Sequence, residues 1–232
     1  MNNDEVRSGI AKSWDFFDSL DLGEAFITPT PLAVIQDFRK VALDAKSLYT
    51  DVYESGLALS HYNILLFDLA FFQFGWSGEN EVRYAYYPNP FISGNKEAQV
   101  KLQNWREAQL AEILSEEDVS ALIASLTTSG TVPLIRYENS PSQYRPFRHP
   151  CSHMHIGLHS DNRWPLARVL TPLAFSMWIV KQYYTDSWSV YDDETHPIGN
   201  RLEQDLIDEQ ANCRILGEEL FGPSEVRSLH FR

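Results

Sequence analysis

Residues 62–74, YNILLFDLAFFQF, carry so many aromatic and aliphatic side chains in one stretch that they must be buried. The turn-forming residues Gly75–Asn80 then lead straight into VRYAYY at 82–87, and Pro88 and Pro90 end that run. Two β-prone apolar segments joined by a short turn form an antiparallel hairpin, because a parallel pair needs a crossover of a dozen residues or more. Further on, Thr131–Tyr137 reads as a strand, Ser140–Pro146 with its two prolines as a loop, and 152–158 as a last short strand.

Helical periodicity surrounds these strands. Val6, Ile10, Trp14, Phe17 and Leu20 recur at three and four over 5–20, and Val34, Ile35, Phe38, Val41, Leu48 and Val52 do so over 32–53, after the breaker TPTP. Residues 96–114 have helical spacing, and Ser115 with Asp118 forms a cap for a helix to Leu126, closed by Gly130. Thr171-Pro172 starts an apolar helix to 184, and 201–216 is an amphipathic helix stopped by Gly217. Residues 186–196 read as a polar loop and the end beyond Gly222 as a loosely tethered tail. The expected architecture is an α+β fold, an antiparallel β-meander sheet surrounded by N-terminal, inserted and C-terminal helices. It is expected as one domain over 1–232, helical over 1–60, with the sheet and histidine cluster over 61–160 and a C-terminal helical region over 161–232.

Four of the seven histidines, His149, His153, His155 and His159, fall within eleven positions. On a strand, His153 and His155 share one face with Cys151 while Met154 and Ile156 turn to the core. Beside Arg136 and Glu138 this set matches the needs of phosphodiester cleavage without a metal. One imidazole takes a proton from a 2′-hydroxyl, another protonates the leaving oxygen, and a guanidinium holds the phosphate. His153 and His155 are the candidate acid and base, with His149 as a third member, Arg136 or Arg83 on the phosphate and Glu138 orienting a ring. RNA is the expected substrate, because it supplies the 2′-hydroxyl, and no cofactor is needed. His159 reads as loop surface.

Other readings stand beside this one. The HxH pair with a carboxylate could hold a single divalent metal at His153 and His155, making a metal-dependent nuclease or hydrolase. Arg136 could be an edge-strand charge, and the imidazoles could serve only packing. Asp68 in so apolar a run is costly unless paired, with Arg83 across the hairpin the expected partner, and Tyr84 is a candidate for stacking on a base. A net charge of −13 argues against a broad nucleic-acid-coating face but leaves room for a local one, and it also suits an acidic binding or assembly subunit without chemistry. Tyr183–Tyr191 could then be such an interface or core. Cys151 and Cys213 alone, no span of about 18 apolar residues and the polar start MNNDEVRSG lead us to expect a soluble, cytoplasmic protein without a membrane partner.

RYAYYPNPF at 83–91, RHPCSHMHIG at 148–157 and LTPLAF at 170–175 resemble a bacterial family of similar length known only as a domain of unknown function. More loosely, Phe67-Asp68, Val82–Tyr86, Ile135–Pro141 and His149-Pro150 with His153 and His155 are similar, in order, to TumE-type toxins of toxin–antitoxin pairs. Glu138 stands where that pattern has aspartate, and Ser142 and Gln143 where it has paired histidines. The resemblance implies a prokaryotic, toxin-like or antiviral context, with a protein partner encoded nearby, an antitoxin or a defence-complex subunit.

Overall fold

The computed structural model describes residues 1–128, 132–159, 161–189 and 201–229. Helix α1 (Asn3–Ser19) starts at a capping box formed by Asn2 and Glu5 and is followed by β1 (Gly23–Phe26), α2 (Gln36–Leu43) and α3 (Tyr49–Ala58). Strands β2 (Ile64–Leu66), β3 (Phe71–Gly78) and β4 (Glu81–Tyr87) lead to the inserted helices α4 (Lys96–Leu110) and α5 (Glu116–Ala124). Then come β5 (Ile135–Asn139), β6 (Ser152–Ile156), β7 (Trp164–Pro165) and β8 (Arg168–Val169). The chain closes with α6 (Pro172–Tyr183), α7 (Thr185–Ser189), α8 (Arg201–Asn212), β9 (Arg214–Ile215) and α9 (Pro223–Leu229). Strands β1 to β7 form one sheet in chain order, every pair antiparallel, and β8 and β9 form a separate ribbon. The expected α+β meander with flanking helices is the observed fold.

Its strands are shorter and more numerous than periodicity suggests. The run 62–74 is two strands, not one, because the chain reverses between Leu66 and Ala70, where Leu69 takes a φ of 64° and the Leu66 N–H donates to the Ala70 carbonyl at 2.8 Å. Asp68 sits in that turn. It is buried as expected but has no basic partner among the described residues: its carboxylate accepts from Ser93 Oγ (2.7 Å), the Tyr184 hydroxyl (3.0 Å) and the Ala70 N–H (3.1 Å). Burial pushes this carboxyl up and the three donors oppose that shift. Arg83 pairs elsewhere, as described below.

The helix read over 32–53 is also divided. Residues 32–35 are extended against the sheet, with the Leu32 N–H donating to the Phe74 carbonyl at 2.8 Å, and Asn63 holds the preceding segment through the Thr28 and Thr30 carbonyls. Asp44 accepts from the Lys46 N–H to turn the chain between α2 and α3, and Asp51 accepts from the Leu48 N–H to start α3. Gly56 lies inside α3 rather than beyond it, since a Cβ there would stand 2.4 Å from the Phe71 ring. The helix read over 201–216 stops at Asn212 so that Arg214 and Ile215 can pair with β8. The expected loose tail instead carries α9, anchored by buried Glu225, which accepts from the Gly222 N–H and Ser224 Oγ. Trp188, in the segment read as a polar loop, is buried and donates to Glu203, and Tyr184 is core; Gly130, Thr131 and 190–196 lie outside the described residues.

The pleat gives the sheet two unlike faces. Phe72, Phe74, Tyr84, Tyr86, Ile135, Tyr137 and Met154 face α1, α6 and α8 and form the main core with Phe175 and Ile179. On the other face Phe71, Ala85, Tyr87 and Leu134 are covered by Phe38 of α2 and Val52 and Tyr53 of α3. The rest of that face, toward β6, is left for polar side chains.

Asp68→Ala leaves two hydroxyls and an N–H without their acceptor, so it should lower unfolding free energy by roughly 3 kcal/mol or more. Asp68→Asn, which keeps an acceptor oxygen, should cost less. Equilibrium urea unfolding of the two variants checks the order.

Candidate active site

Strands β4, β5 and β6 place the candidate residues in two cross-strand rows on the polar face. Arg83 stands opposite Glu138 and Glu138 opposite His153, while Ala85 stands opposite Arg136 and Arg136 opposite His155. The alternating pattern of SHMHI explains the placement, because Met154 is drawn into the core beside Tyr137 and both imidazoles must then face the other way.

The contacts along these rows are close. Arg83 Nε donates to Glu138 Oε1 at 2.9 Å, and Glu138 Oε2 lies 4.0 Å from His153 Nε2. His153 Nε2 and His155 Nε2 face each other at 3.1 Å, and the His149 ring meets the His153 ring edge-on at a centroid distance of 4.9 Å. His149 is carried there by a tight turn in which it and Arg145 exchange both backbone hydrogen bonds. His153 is wholly buried. Burial first, then the imidazoles of His155 and His149, push it from about 6.5 down to about 3, with the Pro150 carbonyl opposing and the Arg163 charge adding. His153 is therefore neutral at pH 7, with Nε2 available as a hydrogen-bond partner or a ligand. Glu138, His153 and His155 offer one donor atom each, all within 4.8 Å of one another.

The structure thus brings together His149, His153, His155, Glu138, Arg136 and Arg83. It leaves others out. Tyr84 points to the opposite face, where its ring is buried against Tyr137 and Phe175 and its hydroxyl meets Met1 Sδ, so base stacking is closed to it. Asp68 belongs to the buried turn network. Cys151, expected beside the histidines, is buried with Val169 and Leu216, its thiol directed to Asn139 Oδ1, because the strand begins only at Ser152. His159 is exposed on a loop.

Between this face and the segment 32–43 lies a cleft of about 440 Å³. Its floor includes Gln73, Arg83, Arg136, Glu138 and His155, and its other wall is Leu32, Val34, Phe38, Arg39 and Leu43. Arg39, His61 and Gln73 were not singled out by sequence reasoning. Arg39 sits on the polar side of an ordinary amphipathic pattern, and His61 and Gln73 converge only through the fold, with Gln73 Nε2 reaching the His61 carbonyl. Nothing in the linear spacing marks them.

In chelator-treated protein the unfolded chain should take up a proton on residue 153 below about pH 6.5 while the folded protein refuses it. His153 should therefore cost stability as pH falls from about 6.5 toward 3, with a slope of up to about 1.4 kcal/mol per pH unit. Urea unfolding of wild type and His153→Gln at pH 7 and pH 5 should show a smaller pH loss in the variant.

No curated protein and no solved structure matches the chain. Among its described residues no helix is long and apolar enough to cross a membrane. The sequence profile of DUF2290, a family described as uncharacterized conserved protein, matches residues 32–225, a span that includes the cleft wall, both cross-strand rows and α9 through Glu225. The matched span covers most of the chain, and the protein belongs to the DUF2290 family.

Proposed function

We propose that Glu138, His153 and His155 hold one divalent metal ion and that the chain is a metal-assisted hydrolase working at the arginine-lined cleft. The observation that carries this reading is the 3.1 Å between His153 Nε2 and His155 Nε2. Two imidazole ligands at about 2.0–2.1 Å from one ion stand roughly 2.9–3.4 Å apart in octahedral or tetrahedral geometry. An acid and a base working on opposite oxygens of a phosphate must each reach its own oxygen rather than the other ring, so this spacing favours the metal over metal-free acid–base cleavage of RNA. Arg83 holds the second oxygen of Glu138 and would fix the orientation of that carboxylate.

Three protein ligands leave positions open for water. Such an ion, held by Glu138, His153 and His155, would supply Lewis-acid activation of a water at near-neutral pH. In the hydrolysis proposed, a water oxygen would bond to the electrophilic centre as the bond to the leaving oxygen breaks, with the water's protons passing to solvent and to that oxygen. Cys151 and Cys213 are both buried free thiols, which suits work in a reducing cytoplasm.

Purified protein should retain close to one metal per chain by elemental analysis and hydrolyse an activated phosphodiester such as bis(p-nitrophenyl) phosphate. His153→Ala and His155→Ala should each lose the metal and at least a hundredfold in kcat/KM, and Glu138→Gln should weaken metal retention tenfold or more. RNA cleavage that survives chelation would sink this reading in favour of metal-free histidine catalysis. A protein with neither metal nor hydrolysis would be an acidic binding or assembly subunit instead. Iron as the sole bound metal, without hydrolysis, would point to oxygenase chemistry.

A further inference from the structure

The cleft beside the histidines carries a charge opposite to that of the chain. Net charge is −13, yet Arg39, Arg83 and Arg136 all line this one cavity and Glu138 is its one lining carboxylate among the described residues. Glu138 is already paired with Arg83. Arg136 is half-buried, makes no ion pair with any described residue, and its Nε is shielded from solvent without a hydrogen-bond partner. A guanidinium desolvated in this way is costly unless an anion answers it, and its planar fork of donors suits a phosphate group.

The rest of the cleft is not ionic. Leu32, Val34 and Leu43 form an apolar wall, with Val34 and Leu43 more than half exposed to the opening, and Gln73 and His61 lie among the lining residues as polar edges. A volume of about 440 Å³ falls within the range of roughly 300–1,000 Å³ usual for small-molecule sites.

We infer that this cleft binds a nucleoside phosphate: Arg136, with Arg39 and Arg83, takes the phosphate beside His155 and Glu138, and the wall of Leu32, Val34 and Leu43 takes the base. The assignment rests on the hydrolase reading for its chemical purpose, since it sets the phosphate next to the proposed ion, but binding itself needs only this chain's arginines. The unit bound is either a free nucleotide or one nucleotide of a single strand, and the chemistry of recognition is common to both.

The test is isothermal titration calorimetry on the chelator-treated full-length chain with AMP, adenosine, inorganic phosphate and a short single-stranded RNA. AMP or the RNA should bind, adenosine should not, and inorganic phosphate should bind more weakly than AMP. Arg136→Gln should weaken binding tenfold or more, and Arg39→Gln, at an exposed position of α2, should weaken it several-fold with an unchanged thermal midpoint. Affinity should fall as salt is raised. Tighter binding of RNA than of AMP assigns the cleft to a strand, and the reverse assigns it to a free nucleotide. Absence of phosphate-dependent binding to all four ligands, or equal binding by wild type and both arginine variants, overturns the inference. Metal content measured on the same preparations before chelator treatment separates the two readings: metal retained without nucleotide binding defeats only this inference, and nucleotide binding without metal retention defeats only the proposed ion.

Discussion

The register between β4, β5 and β6 is the constraint on which the rest of the site depends. Tyr84, Tyr137 and Met154 lie side by side on the buried face, and with them in place Arg83, Glu138 and His153 have to line up on the other. A slip of one residue would send both imidazoles into an aromatic core and bring Met154 to the cleft. The core therefore aims the polar face. The large, interlocked rings of Tyr84, Tyr137 and Phe175 are what make such a slip prohibitive.

The same sheet separates two roles for buried polar groups. Asp68 is surrounded by hydroxyl and N–H donors, so its carboxylate is fully answered within the protein and closes the β2–β3 turn. Arg136 and His153 are different. His153 is buried and Arg136 has a shielded Nε, yet among the described residues Arg136 is answered by no carboxylate and His153 chiefly by a second imidazole. Polar groups of the first kind hold a fold together, whereas those of the second kind are candidates for binding or chemistry.

Charge is distributed to match. The chain carries 32 acidic against 19 basic residues, so the surface as a whole repels polyanions. The cleft between the sheet and the segment 32–43 reverses that field locally, because Arg39 comes from α2 while Arg83 and Arg136 come from adjacent strands. Arg83 is paired with Glu138, which leaves Arg39 and Arg136 as lining cations without a carboxylate partner among the described residues. Local recognition of this kind is compatible with an acidic protein; coating of a long duplex is not.

The sequence by itself determined the antiparallel meander, the helices that flank it and the shared face of His153 and His155, because these follow from periodicities of 2 and 3.6 that are local properties of the chain. It also marked Asp68 as buried, from the apolar run around it. It did not determine that the run turns at Asp68, that 32–53 divides into an extended segment and two helices, or that Arg83 answers Glu138 rather than Asp68. Those outcomes depend on partners distant in sequence: Ser93 and Tyr184 for Asp68, Phe74 for Leu32, and the pairing of β4 with β5 for Arg83. The cleft belongs to the same class. Arg39, His61 and Gln73 are ordinary residues in their own segments, and only tertiary packing, which brings a helix, a loop and a strand to one cavity, decided that they should line it with Arg136 and His155.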